Sequence, residues 1–492
     1  MLRRDFLSGS LALAIGASRN GWAGPNNPAK SILEYGARPD GRTLNTNAIQ
    51  RAIDDAFQSG GGTVLVPSGT FLTGRINLKS SVTLYLDTGS TLLGSTSLND
   101  YDSGGEGESR QRHLIFAHDA DDVTVAGPGR LDGQGRSFWE SSGKAPVPPE
   151  DEWADFSSRA LAPKKSGRPS PMLYFVNCRR LRIEDVRIEN SPGWTLHTLN
   201  CDDVNIKGIA IRNPVVGPNT DGIDMTGCQN VQVTNCSVET GDDAICLKSE
   251  NPYGSEPRVI KNVVVTNCHL TTCCNGFKLG TSSEGGFENI TFSNSVIHND
   301  EVEFRARVIS GVALEVVDGG WIDGVVVSGI QMDRTRTPIF IRLGNRKQPH
   351  NYPQHGIRRV SIDNVQASEA LLASSITGLP GMDVQDVTLS NIRIGSIVKG
   401  RPEWVGRAVP EKEATYPEAR MFGMLPASGL YVRHARDLRL NNVEFAAPTG
   451  EGRPTVIFDD VIGAHATGLT STPVSGGMPM VQVIHSEDVH VA

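Results

Sequence analysis

The residues best suited to do chemistry are three aspartates spaced by about one turn of a repeating structure. Asp221 ends an Asn-Thr-Asp sequence that begins at Asn219, and Asp242 follows it after 21 residues in a Gly-Asp-Asp sequence that ends at Asp243. If such a stretch makes one coil of stacked strands, adjacent coils lie ~4.8 Å apart and bring the three carboxylates together. Clustered like charges raise at least one carboxyl pKa. A protonated acid beside an ionised base is the pair that glycosidic hydrolysis requires.

Two other interpretations of the three aspartates stay open at this point. Clustered carboxylates could bind Ca²⁺, and Asp-Gly pairs could serve only as turns. Zinc is a weaker possibility, because no histidine accompanies the cysteines at the spacing of zinc ligands. We therefore predict no metal at the cysteines, and calcium binding by the aspartates is the alternative to our prediction of a site without metal.

A short pair of apolar residues recurs along the chain, and its period of two predicts strands with one buried face. Successive pairs begin 23 to 51 residues apart, and Gly, Asn, Asp and Ser separate them rather than long amphipathic stretches. The pairs are Leu181/Ile183, Val204/Ile206, Val231/Val233, Val263/Val265, Ile290/Phe292, Val325/Val327, Val360/Ile362, Val387/Leu389 and Leu438/Leu440. This pattern predicts an all-β solenoid over residues 31–490, with strands stacked coil on coil. The dense leucine signature of a leucine-rich horseshoe is missing.

One helix is predicted, over 45–59, with Ile49, Ile53 and Phe57 on its apolar face and three glycines after it. At the start of a solenoid, such a helix caps an open apolar end. The repeat is interrupted at 135–167 and at 401–423. We interpret both segments as loops that lie over a cleft or against a neighbour.

Eight cysteines fall within residues 178–274, and four of them directly follow asparagine. We interpret most as small buried apolar residues, and the repeated Asn-Cys pairs predict an asparagine ladder in the turns. The net charge of −8 gives no indication of nucleic-acid binding.

Residues 1–24 have the features of an export signal. Arg3 and Arg4 precede an apolar run from Leu11 to Ala17, which is shorter than the ~20 residues that span a bilayer. Paired arginines resemble a twin-arginine signal, although an ordinary secretory signal is the alternative. Residues 25–492 then form a single domain in the periplasm or outside the cell. We expect it to be a monomer without a membrane span.

The aspartate motifs resemble those of glycoside hydrolase family 28, the polygalacturonase-like enzymes of the pectin lyase-like β-helix superfamily. The sequences Gly-Gln-Gly at 133–135 and Asn-Ser-Pro-Gly-Trp at 190–194 follow in the family's order, and the resemblance is clear over 31–345. It implies a right-handed parallel β-helix and inverting hydrolysis without a cofactor. By the same resemblance, Asp242 is the general acid, and Asp221 and Asp243 together activate water.

Two motifs of the family are absent. Its Gly-His-Gly falls on Cys-Cys-Asn-Gly at 273–276, so that either Cys274 or Asn275 replaces the histidine. Its Arg-Ile-Lys, which in the family holds a galacturonate carboxylate, appears as Ala313-Leu314-Glu315. Two cations are lost, and a unit charge pair at 4 Å is worth roughly 1 kcal/mol in water and ~4 near a protein surface.

The positions expected to contact substrate are therefore Asn219, Lys248, Asn275, Lys278 and Glu315. Lys248 and Lys278 either supply the missing positive charge or are ordinary solvated lysines. We predict a glycosidase that acts on pectic polysaccharides or oligosaccharides, with weak activity on plain polygalacturonate. A β-helix polysaccharide lyase, whose products absorb in the ultraviolet, and a non-catalytic carbohydrate-binding solenoid are the alternatives.

Overall fold

The computed structural model describes residues 28–102, 112–143, 161–252, 256–300, 307–347 and 355–492. The predicted export signal lies outside these residues, as does part of the predicted loop at 135–167. No helix among the described residues is both long enough and apolar enough to cross a membrane.

Strands dominate the chain because apolar residues alternate with polar ones in short runs that turns interrupt. The first eighteen are β1 (Lys30–Ser31), β2 (Asp40–Leu44), β3 (Gly62–Val66), β4 (Gly69–Thr73), β5 (Ile76–Asn77), β6 (Val82–Leu86), β7 (Ser90–Gly94), β8 (Ile115–His118), β9 (Thr124–Ala126), β10 (Arg130–Asp132), β11 (Trp139–Ser141), β12 (Leu161–Pro163), β13 (Leu173–Val176), β14 (Arg179–Glu184), β15 (Arg187–Glu189), β16 (Leu196–Leu199), β17 (Asp202–Lys207) and β18 (Ala210–Arg212).

The other eighteen strands include the longest of the chain, from β26 to β34. They are β19 (Ile223–Thr226), β20 (Gln229–Thr234), β21 (Ser237–Thr240), β22 (Ile245–Ser249), β23 (Ile260–Thr266), β24 (His269–Thr272), β25 (Asn275–Ser283), β26 (Gly286–His298), β27 (Val308–Val316), β28 (Trp321–Asp333), β29 (Thr335–Leu343), β30 (Gly356–Ala370), β31 (Ser374–Thr377), β32 (Val384–Ser396), β33 (Leu430–Ala446), β34 (Val456–Ser471), β35 (Val481–Ile484) and β36 (Glu487–Val491).

Apart from β11 and β12, which form a separate antiparallel pair, each strand pairs in parallel with the strand one coil away, so the chain forms three parallel faces. Sheet I runs through β5, β8, β13, β16, β19, β22, β25, β27, β29, β31 and the starts of β33 and β34 to β35. From β26 onward, one long continuous strand in each coil contributes to both of the other two faces, as β26 does by pairing with β23 and β24. One apolar interior extends from Ile32 to Leu469. The fold is the predicted parallel β-helix.

The predicted helix, α1 (Thr46–Gln58), packs against β1, β3, β5 and β6 at the first coils. Ile49 and Ile53 are fully buried, as expected, but Phe57 is 44% exposed and lies under the Lys79 ammonium. The helix ends where Gly61 donates its N–H to the carbonyl of Ala56. Short 3-10 turns cover Ile32–Tyr35, Leu98–Tyr101, Gly135–Phe138, Pro402–Trp404 and Ala419–Phe422.

The asparagine ladder of the turns exists, but it uses other residues than those predicted. Asn289 donates to Asn262, Asn262 to Asn230 and Asn230 to Asp203, at 3.0–3.2 Å. The asparagines before cysteine, such as Asn235 and Asn267, adopt positive φ, as the ladder asparagines also do, because asparagine tolerates this conformation at a corner. The eight cysteines, all in the described part of the chain, are free thiols, and seven of them are buried.

Candidate active site

Three polar residues stand at the same position on consecutive coils. Ile223, Ile245 and Phe277 are register partners in sheet I, and Asp221, Asp243 and Asn275 each lie two residues before one of them. The coils are ~4.8 Å apart. The spacing seen in the sequence, 21 residues from Asp221 to Asp242 and 22 to Asp243, therefore does place the aspartates on adjacent coils.

Asp243 lies between an amide and an ammonium group. Its Oδ1 accepts hydrogen bonds from Asn275 Nδ2 at 2.6 Å and from the Asn275 backbone N–H at 3.2 Å, and its Oδ2 lies 3.1 Å from Lys278 Nζ. Burial alone would raise the pKa of Asp243. Lys278, Lys248 and the Asn275 hydrogen bond outweigh that effect and lower the pKa to about 2. Asp243 is thus an ionised carboxylate at neutral pH.

Asp221 has the opposite environment. The residue is 5% exposed, and among the described residues its Oδ1 has no hydrogen-bond partner. Burial, followed by repulsion from Asp242 and Asp224, raises its pKa well above the usual value. Two carboxyls of the cluster thus have pKa values shifted in opposite directions, which separates a proton donor from a base.

Asp242 is the more exposed member of the cluster, at the surface of the cleft. Its Oδ1 accepts a hydrogen bond from the Asp243 backbone N–H at 2.9 Å, and Asn219 Nδ2 lies 3.5 Å from its Oδ2. Asn219 in turn accepts a hydrogen bond from Arg168 at 3.3 Å. The Arg168 guanidinium is attracted to Asp221 and Asp242, while burial lowers its own pKa.

Arg168 lies in the cluster although the sequence analysis did not assign it to the site. It is held in place by the carbonyls of Pro192 and Pro218, at 3.0 and 2.6 Å. Its position 51 residues before Asn219 gave no spacing signal. Asp224, three residues after Asp221, was also missed, because it could have been an ordinary strand residue.

Neither lysine is an ordinary solvated side chain. Lys248 Nζ lies 2.6 Å from Asp224 Oδ1 and 2.8 Å from Cys246 Sγ, and it sits 4.8 Å from the centre of the Trp194 ring. Lys278 Nζ contacts Asp243 and lies 3.7 Å from Glu315 Oε2. Both ammonium groups are already neutralised by buried carboxylates, which raise both pKa values against the effect of burial.

Glu315 is buried, and its pKa rises to about 8 because burial disfavours the anion more than Lys278 favours it. Repulsion from Asp243 adds to the rise. At neutral pH and below, Glu315 is mostly a neutral acid, so the substitution in the family's Arg-Ile-Lys position removes two cations without adding a full negative charge. Ala313 is fully buried and faces no open cleft.

Residues 397–429, which we call the crossing segment, join β32 to β33 and pass over sheet I. Apolar residues of this segment pack on outward-facing side chains of the sheet in a second apolar cluster comprising Ile309, Ala313, Phe340, Ala373, Ala419, Met421, Phe422, Leu425, Ala427, Tyr431 and Ile457. Tyr416 reaches the site itself: its hydroxyl accepts a hydrogen bond from Thr281 at 2.9 Å and lies 3.4 Å from Lys278 Nζ. The segment predicted over 401–423 is therefore a cleft-covering loop.

Four further aromatic and histidine side chains differ in their positions relative to the aspartates. Phe277 stacks on Phe292 at 4.5 Å inside the helix, so it cannot contact a sugar. Trp194 is only partly buried and borders the site. His197 is stacked on Tyr174 at 5.0 Å, and burial lowers its pKa to about 3. His434 lies between Asp460 and Glu411, away from the aspartates.

Ligand atoms of Asp242, Asp243 and Cys274 lie within 4.8 Å of one another. The donor set mixes two carboxylates with a thiol, whereas Ca²⁺ takes oxygen ligands. Asp243 is also already engaged by Lys278 and Asn275. The set therefore does not fit the calcium alternative well.

A solenoid with an acidic cluster on one open face is the architecture of a carbohydrate-active β-helix protein, and comparisons with known proteins agree. The model of Glycosyl hydrolases family 28 matches residues 58–415. A probable polygalacturonase of Vitis vinifera is 27% identical over 398 residues, covering 75% of each chain. An exo-poly-alpha-D-galacturonosidase of Dickeya chrysanthemi is 27% identical over 75% of this chain and 67% of its own.

Among solved structures, a hyperthermoactive exopolygalacturonase from Thermotoga maritima is 25% identical, with a TM-score of 0.60 over 75% of this chain and 88% of its own. The chain belongs to glycoside hydrolase family 28. It is a glycosidase, as the sequence predicted, rather than a lyase or a non-catalytic solenoid.

Proposed function

We propose that the protein hydrolyses glycosidic bonds of pectic polysaccharides or their oligosaccharides with Asp242 as general acid and Asp243 as base. The observation that carries the proposal is the opposite shift of two neighbouring carboxyl pKa values, raised at Asp221 and lowered to about 2 at Asp243. The polygalacturonase relatives support a pectic substrate.

The roles follow from the environment of each carboxylate. Asp243 stays ionised beside Lys278 and accepts the proton of the attacking water. Burial and repulsion from Asp242 raise the pKa of Asp221, which keeps a proton next to Asp242. Asp242, the more exposed member, delivers it to the leaving glycosidic oxygen, while Asp221 helps to orient the water. No step uses a cofactor or a metal.

A single displacement of this kind inverts the anomeric centre, which requires room for water between acid and base. Asn219 positions Asp242, and Asn275 positions Asp243. Asn275 occupies the register position next to Asp243, so it rather than Cys274 stands where the family has its histidine.

Among the described residues, the cations on sheet I near Lys278 and Glu315 already have carboxylate partners, so they offer a uronate at that position little unpaired charge. Lys248 and Lys278 each have a carboxylate partner, and Arg346 forms a two-point ion pair with Asp318 at 2.7 and 3.0 Å. We therefore propose that the sugar beside Lys278 and Glu315 is uncharged. A pectic backbone in which galacturonate alternates with a neutral sugar fits better than homogalacturonan.

We also propose that residues 1–24 direct export and that residues 25–492 act as a monomer in the periplasm or outside the cell. The paired arginines before a short apolar run support the export signal. N-terminal sequencing of the protein recovered from outside the cytoplasm tests the cleavage site.

The deciding experiment incubates purified protein with homogalacturonan and with rhamnogalacturonan while reducing ends, ultraviolet absorbance and the proton NMR signals of new anomers are followed. We expect new reducing ends of inverted configuration, no rise in ultraviolet absorbance, and faster hydrolysis of rhamnogalacturonan. Retained configuration would contradict the mechanism. If homogalacturonan is hydrolysed faster than rhamnogalacturonan, and still is in the variants Lys248→Met and Lys278→Met, the proposal of a neutral sugar at this subsite is contradicted. The hydrolase function is not affected by that result.

A further inference from the structure

The crossing segment closes one side of the cleft close to the catalytic aspartates. Ala313 and Phe340 point outward from β27 and β29, where an open substrate groove would leave them accessible. Both are fully buried, because Met421, Phe422 and their neighbours pack on them. The face of sheet I beyond β25 is therefore filled by protein.

The covered region begins very near the site. Asp243 lies two residues before the start of β22, Lys278 lies on β25, and Ala313 is the register partner of Lys278 on β27. Two steps of ~4.8 Å place the covered strand only ~10 Å along the helix axis from the coil of Asp243. A polysaccharide lying along sheet I cannot extend past this point.

Tyr416 forms the wall that faces the open part of the cleft. The residue is 54% exposed although its hydroxyl is fixed by Thr281 and Lys278, so the ring is presented to the cleft in a defined position. The Arg346 guanidinium lies 5.8 Å from the same ring and supports it. Aromatic surfaces of this kind pack well on the apolar faces of sugar rings.

We propose that the cleft admits only a chain end and that Tyr416 contacts the terminal sugar, which makes the enzyme exo-acting. The proposal rests on the proposed hydrolase function, because it concerns the same site. It predicts that every cleavage occurs a fixed, small number of sugars from one end. On the opposite side, Trp194 and Lys248 border the cleft, where the rest of the chain extends.

The first test uses the unaltered enzyme with rhamnogalacturonan and homogalacturonan polymers at low conversion. A single short product, with viscosity falling slowly as reducing ends appear, supports the proposal. An early mixture of intermediate lengths with a rapid loss of viscosity overturns it while leaving the hydrolase function intact. Failure to release reducing ends from either polymer or from their oligosaccharides overturns both.

The second test compares Tyr416→Ala with Tyr416→Phe on oligosaccharides of the better substrate. Loss of the ring should raise KM about tenfold, equivalent to ~1.4 kcal/mol, with a smaller change in kcat, whereas Tyr416→Phe should keep KM close to that of the parent. An unchanged KM in Tyr416→Ala would show that Tyr416 is not the end wall. If Tyr416→Ala does not fold, the product pattern of the unaltered enzyme still decides the proposal.

Discussion

The two sides of the same three strands, β19, β22 and β25, follow different physical rules. Inside the helix, residues such as Ile245 and Phe277 are apolar and fully buried. Outside, charged residues such as Asp224 and Lys278 are equally buried, but they face carboxylates and ammonium groups. Apolar burial stabilises a fold directly, whereas a buried ion pair often contributes nothing to net stability. The outer network is therefore better explained by chemistry than by stability.

The largest effect should follow the loss of the proton donor on the outer side. Asp242→Asn keeps the shape of the side chain and removes its acid, so we expect kcat to fall at least ~10²-fold, the scale of general acid catalysis. KM and the free energy of unfolding should change little, because the loss falls on the transition state. Steady-state kinetics on the best oligosaccharide measure this, with Asp386→Asn at an exposed position as control. Near-normal turnover would assign the acid to another residue.

The next effect in size should follow the loss of the ammonium group of Lys278. Lys278→Met leaves Asp243 buried without its ammonium partner, which should lower the free energy of unfolding by about 3–5 kcal/mol in urea titrations. Lys347→Met, at an exposed pair with Glu284, should cost at most ~1 kcal/mol.

The same substitution should change the pH profile. The pKa of Asp243 is held at about 2 chiefly by Lys278 against burial. Activity that needs ionised Asp243 is lost as pH falls through this pKa, so Lys278→Met should move the acidic limb of kcat/KM to higher pH. An unmoved limb would show that Asp243 is not the base.

The packing inside the β-helix could be predicted from the sequence, whereas the contacts on its outer face could be predicted only in part. Period-two pairs such as Val231/Val233 predicted the coils, and the spacing of Asp221 from the Gly-Asp-Asp sequence predicted its meeting with Asp243, because both depend on local regularity. The partners of Lys278 could not be predicted, since Tyr416 approaches from 138 residues away through an irregular segment. The neutral state of Glu315 depends on burial by that same segment.

Glu315 offers a pH-dependent contrast. Its folded-state pKa of about 8 lies above the ordinary 4.5, so between these values the folded protein holds a proton that the unfolded chain has released. Stability therefore falls as pH rises from 4.5 to 8, by up to about 1.4 kcal/mol per pH unit for one proton. The pKa of Glu315 also depends on the charged groups that surround it, which are Lys278, Asp243, Glu418 and Arg346.

Glu315→Gln imitates the neutral acid at all pH values, so it should not show this loss of stability as the pH rises. Its stability relative to the parent should rise across the same pH interval and then level off, in urea titrations at several pH values. Glu444→Gln, which faces solvent beside Arg393, is the matched control and should show no comparable rise. A constant difference between Glu315→Gln and the parent would mean that Glu315 is ionised throughout.

The smallest effect should come from the inner side directly beneath the catalytic coil. Ile245 is fully buried only two residues after Asp243, and Ile245→Val removes one methylene from the interior. Such a deletion costs about 0.5–1.5 kcal/mol of unfolding free energy, because it loses transfer energy and leaves a small cavity. The outer contacts of Asp243 with Asn275 and Lys278 stay in place, so kcat and the pH profile should match those of the parent. A tenfold fall in kcat without a larger loss of stability would show that the inner packing positions Asp243, and that the two sides are not independent.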